Sequence, residues 1–235
     1  MKSTVNKKTS LSCAHCPKRE LSLFQGLDTQ ELDLLNSNRI TVDFKKGETI
    51  YKENCKPTGL YCLNKGKVKL VKYSNKGNEV ITALKRPVDF LDLETLVSGK
   101  NYNHTSVALE DSSVCIIDES HFNKVLMNNI NFAKKLLQNL ANTVFDNNDR
   151  FVNTTQKQIR ARIAEVLLKL KEFYGVSSDG YLNVALKRSD IAALSSMTTA
   201  NVIRTISAFE KEKLISCDKK KIKILNADKL HEISS

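Results

Sequence analysis

Cys13 and Cys16, with Ala14 and His15 between them, form a CAHC motif near the start of this 235-residue chain. Two thiols at that spacing suit a dithiol switch or half of a zinc site. A thioredoxin-like dithiol follows a strand at a helix start, whereas this pair lies in a polar arm with no strand before it. The other cysteines are Cys55, Cys62, Cys115 and Cys217. In a reducing compartment such residues serve as free thiols or metal ligands rather than disulfides. A cysteine such as Cys62 or Cys115 in a strand can also be a small buried hydrophobe. No HExxH, GxSxG, P-loop or GxGxxG motif is present, so an enzyme is not expected.

A second chemistry is written in KRSDIAALSSMTTANVIRTISAFEKEKLISCDKKKIKIL, residues 187–225. Ser189 is a candidate N-cap for a short helix with Ile191 and Leu194 inward. A turn follows at Ser195–Met197, and Thr198 or Thr199 then caps a second helix. Val202, Ile206, Phe209 and Leu214 form its apolar face, while Thr199, Ala200, Ile203, Arg204 and Ser207 lie opposite. LISC and KIKIL predict a hairpin around Asp218–Lys221. Helix, tight turn, longer helix and basic hairpin make a winged helix-turn-helix. In that arrangement Arg204 can donate two hydrogen bonds to a guanine edge. Lys219, Lys220, Lys221 and Lys223 would lie near phosphates. A helix-turn-helix can also be a plain packing unit.

The charge agrees with a polyanionic partner. The formal net charge is +11, and residues 156–235 carry 15 Lys/Arg against 9 Asp/Glu. No run approaches the ~18 apolar residues of a membrane span. The basic N-terminus MKSTVNKKTS has no apolar stretch behind it. No signal peptide and no membrane are expected, and the cytoplasm is the expected compartment.

The elements that would position these groups follow from periodicity. Residues 1–24 read as an arm, and a short helix is expected at Thr29–Asn36 on Leu32, Leu34 and Leu35. TVDF, ETIY, LYCLN, KVKLVKY, EVITAL and SVCIID alternate as half-buried strands, with turns at Gly47, Gly66 and Gly77. Many short strands at regular spacing imply a sandwich or barrel over residues 25–120. From His121 to Tyr174 no Pro or Gly interrupts a helical pattern. Leu137, Leu140, Val144, Asn147 and Phe151 space out as a narrow a/d seam, the mark of a dimer helix over residues 121–155. A second helix, Gln158–Tyr174, has a broader face of Ile159, Ile163, Val166, Leu167 and Leu170, and residues 156–235 close the chain.

The order of parts resembles the CRP/FNR family from about Cys13 to Ile224. KKGETIYKE, YCLNKGKVKL and NKGNEVITAL match the β-roll turns, and the helix-turn-helix keeps its arginine at Arg204. The resemblance implies an α+β protein: a cyclic-nucleotide-binding-like β-roll (jelly roll), a long dimerisation helix and a winged helix-turn-helix with Ser189 near the DNA. It further implies a homodimer on a palindromic site, half-sites about one helical turn apart, and contact with RNA polymerase. Cyclic-AMP binders of the family carry Gly-Glu and Arg-Ser pairs in a phosphate cassette. Asp92-Leu93 and His104-Thr105 stand near those places, and Lys100 is the basic residue nearby, which argues against cyclic AMP. The FNR branch holds an iron–sulfur cluster on C-x2-C-x5-C plus one cysteine in the roll. Cys13, Cys16 and Cys115 match, but the third arm position is Ser22. Ser22, Cys55, Cys62 or His15 would complete such a set. A thiol or zinc site, or a metal-free effector, are the other readings. Ala200 and Ile203 replace the branch's recognition-helix Glu and Ser, so the target sequence should differ. An acid of its dimer helix falls on Asn147, between Asp146 and Asp149, which predicts a less switchable dimer.

Overall fold

The computed structural model describes Cys13, Cys16, residues 19–74 and residues 77–235. The basic N-terminal stretch and His15 lie outside the described residues. The chain divides into two compact units, residues 1–72 with 82–144 and residues 73–81 with 145–235.

The first unit opens on a 3-10 turn at Arg19–Leu21 and helix α1, Thr29–Ser37. Asp28 and Glu31 cap α1 reciprocally: each side chain accepts from the other's backbone N–H, at 2.8 and 2.9 Å. Leu32 and Leu35 are buried as the spacing required. Eight strands follow: β1 Ile40–Phe44, β2 Thr49–Tyr51, β3 Leu60–Lys65, β4 Val68–Tyr73, β5 Glu79–Lys85, β6 Phe90–Leu91, β7 Thr105–Ala108 and β8 Ser112–Ile117. They form two four-stranded sheets in the orders β1-β8-β3-β6 and β2-β7-β4-β5. Alternation sorts the start of β4, where Val68 and Leu70 are buried and Lys69 is not, and Val71 is buried as well. Gly66 turns β3 into β4 with φ +93°, and a Cβ there would meet the Ser112 Cα at 2.7 Å. β6, β7 and the six-residue helix α2, Leu93–Ser98, have no counterpart in the sequence reading.

The helical stretch from His121 to Tyr174, expected as a dimer helix over residues 121–155 and a second helix from Gln158, is three helices: α3 Glu119–Asn128, α4 Ile130–Gln156 and α5 Ile159–Tyr174, so the break at Asn129 is the unexpected one. Neither break needs Gly or Pro. Asn129 is extended, its Oδ1 accepts from Phe132 N at 2.9 Å to cap α4, and its Nδ2 donates to Glu31 Oε1 at 2.8 Å. Gln158 is likewise extended ahead of α5.

In the second unit α5 buries Ile163, Ala164, Leu167 and Leu170, whereas Ile159 is exposed, against its expected place on the inner face. Helices α6 Arg188–Ser195 and α7 Thr199–Lys211 follow, then the hairpin β9 Ile215–Asp218 with β10 Lys221–Ile224. A last helix, α8 Ala227–Ser234, is additional to the sequence reading and buries Leu230. The α+β class with β-roll, long helix and helix-turn-helix holds. Among the described residues no helix is long and apolar enough to cross a membrane.

Candidate nucleic-acid interface and thiol site

Lys187, not Ser189, occupies the N-cap of α6. The Asp190 carboxylate accepts from the Lys187 backbone N–H at 2.9 Å, closing the first turn, and Ser189 is left exposed in that turn. Ser196, in the left-handed conformation at φ 53°, ends α6. Thr198 then caps α7, its Oγ1 accepting from Asn201 N at 3.3 Å. On α7 Val202, Thr205, Ile206 and Phe209 are buried, and Thr199, Ala200, Ile203, Arg204 and Ser207 are exposed. The 3.6-residue period of the helix therefore presents one coherent outward face. In the hairpin Lys221 pairs with Asp218, and Lys219 and Lys220 form the tip, Lys219 at φ 53°. Lys219, Lys220 and Lys221 are all exposed. Lys221 and Lys223 stand over the Tyr181 ring at 5.6 and 6.0 Å, which holds the base of the wing.

Helix α4 carries an unpartnered apolar seam. Leu137, Val144 and Phe151 are 65%, 58% and 71% exposed, and Asn147 is exposed in line with them. Leu140 is partly buried against the core of the first unit. Ile130, 80% exposed and seven residues before Leu137, extends the seam by a heptad that the sequence reading missed, and Phe145 and Val152 widen it.

The structure also gathers four thiols. Cys62 and Cys115 are direct cross-strand partners on β3 and β8. Cys13 lies in the apolar core against which Cys62 packs. Burial pushes the Cys13 thiol up to about 11; Arg39 opposes this, while Cys115 and Cys16 add to it. Burial raises Cys62 further, and Cys115, Cys13 and Cys16 each contribute. Arg39 Nη1 donates to Cys115 Sγ at 2.9 Å. Ser22 takes no part: its hydroxyl donates to Arg19 O at 2.7 Å and accepts from Phe24 N at 3.2 Å. Cys55 is exposed, and Cys217 belongs to the other unit. Four thiols with a guanidinium beside them fit the donor set of an iron–sulfur cluster, whose thiolates carry excess negative charge. Among the described residues no three of these sulfurs come within 4.8 Å of one another, so the set is too open for one zinc ion as it stands.

Residues 41–129 match the profile of the cyclic nucleotide-binding domain, and residues 161–233 that of the Crp-like helix-turn-helix domain. The chain is 23% identical over 230 residues to the fumarate and nitrate reduction regulatory protein of Vibrio cholerae, 96% of this chain and 91% of that one. It is 22% identical over 218 residues to the transcriptional activator protein Anr of Pseudomonas protegens, 91% and 88% of the two chains. FixK2 from Bradyrhizobium japonicum has the same fold, with a TM-score of 0.75 at 24% identity over 84% of this chain and 98% of FixK2. The chain belongs to the CRP/FNR family. It is a DNA-binding transcription regulator and not an enzyme, and regulators of this family act as dimers.

Asp92 is buried and left-handed at φ 54° ahead of α2, and its Oδ1 meets His104 Nδ1 at 2.8 Å. Glu94 follows on α2.

Proposed function

We propose that this regulator binds a palindromic operator as a homodimer, reading bases with α7 and responding to a redox or oxygen signal in its N-terminal unit. The exposed outward face of α7, opposite a fully buried inner face, carries the reading. Arg204 pairs with a guanine edge, and Thr199, Ala200 and Ile203 flank it. Ala200 and Ile203 offer apolar contact, which suits a thymine methyl better than a donor or acceptor. Ser189 at the start of α6 and Lys219, Lys220 and Lys221 on the wing hold phosphates. Leu137, Leu140, Val144, Asn147 and Phe151 join the protomers, two half-sites lie about one helical turn apart, and the bound dimer contacts RNA polymerase at promoters in the cytoplasm. Neutral Asn147 in the seam places no like charges opposite one another, which favours a dimer that persists without signal.

Cys13, Cys16 and Cys115, with Cys62 in the role the sequence assigned to no single residue, would hold an iron–sulfur cluster. When bound, such a group supplies oxygen-sensitive redox chemistry. The chain's own part is to bury Cys13 and Cys115, to exclude Ser22 through its backbone bonds, and to offset charge with Arg39.

Operator selection followed by fluorescence anisotropy tests the DNA reading. Arg204→Ala should cost roughly 1–3 kcal/mol at one base position, and affinity should fall steeply with salt. Equal loss on every sequence would sink base reading by Arg204. Anaerobic purification with iron and sulfide analysis tests the sensing end. A colourless, iron-free protein there points to a metal-free effector instead.

A further inference from the structure

Inside the β-roll one oxygen- and nitrogen-rich cluster of described residues remains without a task. The Asp92 carboxylate, the Glu94 carboxylate and the His104 imidazole each offer a ligand atom, and these atoms all lie within 4.8 Å of one another. We propose that Asp92, Glu94 and His104 bind a first-row divalent metal ion in the roll, at a site separate from the cysteines.

The Asp92–His104 contact alone does not account for the cluster. Asp92 is 1% exposed, yet its Oδ2 has no hydrogen-bond partner. A buried carboxylate oxygen left unsatisfied is costly, and a cation satisfies it directly. Asp92 is not spent on its own helix: it stands at the N-cap of α2, but its side chain makes no capping bond.

Charge and geometry agree on the occupant. Two carboxylates and a neutral imidazole balance a divalent ion. Donors about 2.0–2.2 Å from a metal sit about 3 Å apart along an edge of its coordination shell, and Asp92 Oδ1 to His104 Nδ1 is 2.8 Å. Two hard oxygens and one imidazole suit manganese, iron or zinc over soft monovalent copper. Tyr51 stacks on Tyr102 at 3.9 Å and meets Tyr61 edge-on at 5.5 Å, forming an aromatic wall close by.

Manganese is the probe that separates this site from the thiols, because thiolates favour softer ions. Chelator-treated full-length protein is titrated with MnCl2 under anaerobic conditions. Free Mn2+ is followed by its six-line EPR spectrum, and the melting temperature is recorded alongside. One Mn2+ per chain is expected, with a rise in melting temperature on binding. Asp92→Asn and His104→Gln should each weaken binding at least tenfold and abolish the rise. A Cys13→Ser/Cys115→Ser variant should bind Mn2+ as the wild type does, so the site stands or falls independently of the sensing assignment. Should Asp92→Asn fail to fold, His104→Gln decides. No manganese bound by the wild type at millimolar concentration, or full binding by His104→Gln, overturns the proposal.

Discussion

Replacing Phe151 by alanine should dissociate the dimer without disturbing the protomer. In the single chain the Phe151 side chain is 71% exposed, so it contributes little to folding where it stands. Full burial of a phenylalanine is worth about 1.5–3 kcal/mol, and the fraction still available for burial brings roughly 1–2 kcal/mol per protomer. A two-fold interface uses the same residue twice, giving about 2–4 kcal/mol for the pair. At about 1.4 kcal/mol per tenfold, the dimer constant should weaken roughly 30- to 700-fold. Sedimentation equilibrium over a range of concentrations, without DNA, reads this directly. Circular dichroism should show unchanged helix content. Asn147→Leu on the same seam should move the constant the opposite way, since it replaces an exposed polar group in line with Val144 and Phe151. A dimer constant for Phe151→Ala within threefold of the wild type would refute the assignment of α4 as the interface.

Other outcomes follow from single groups. Cys62→Ser should lower the iron content of anaerobically purified protein, whereas Cys55→Ser, at an exposed position, should leave it unchanged. In metal-free protein the Cys13 thiol, raised by burial to about 11 from an ordinary value near 9, favours the folded state only while protonated. The Cys13 contribution should therefore be intact below pH ~9 and fall by about 3 kcal/mol as pH rises toward 11; in chemical denaturation series Cys13→Ala should remove that part of the loss and leave the part due to Cys62, which burial also raises. Gly66→Ala places a Cβ within 2.7 Å of the Ser112 Cα at a positive φ. It should cost at least about 1–3 kcal/mol, read as a lower melting temperature.

Much of this protein was legible wherever a residue pattern repeats against one neighbour. Val68, Lys69 and Leu70 follow alternation, and α7 sorts Val202, Ile206 and Phe209 from Ala200, Ile203 and Arg204 by helical period alone. Short elements carry no such period. Phe90–Leu91, Leu93–Ser98 and Thr105–Ala108 are formed by sheet pairing and tight turns, and a two- to six-residue run cannot announce itself. Helix α8 did leave a signal: Asn226 caps Lys229 N at 2.9 Å, and Leu230 is the buried position. The helix break at Asn129 was hidden because side-chain capping, rather than Gly or Pro, makes it, whereas the break before Ile159 falls where the second helix was expected to begin.

The sequence by itself determined the winged helix-turn-helix, the outward placement of Arg204, the roll strands and the exposed seam of α4, because each is a local periodicity that burial must respect. Only the tertiary structure decided which distant residues share a site. Cys62 reaches Cys115 through strand register, Ser22 is withdrawn by its own backbone bonds, and His104 comes within reach of Asp92 and Glu94 from the far end of an intervening loop and helix. Contacts between residues far apart in the chain depend on how strands pair and how loops close, and no local pattern records that.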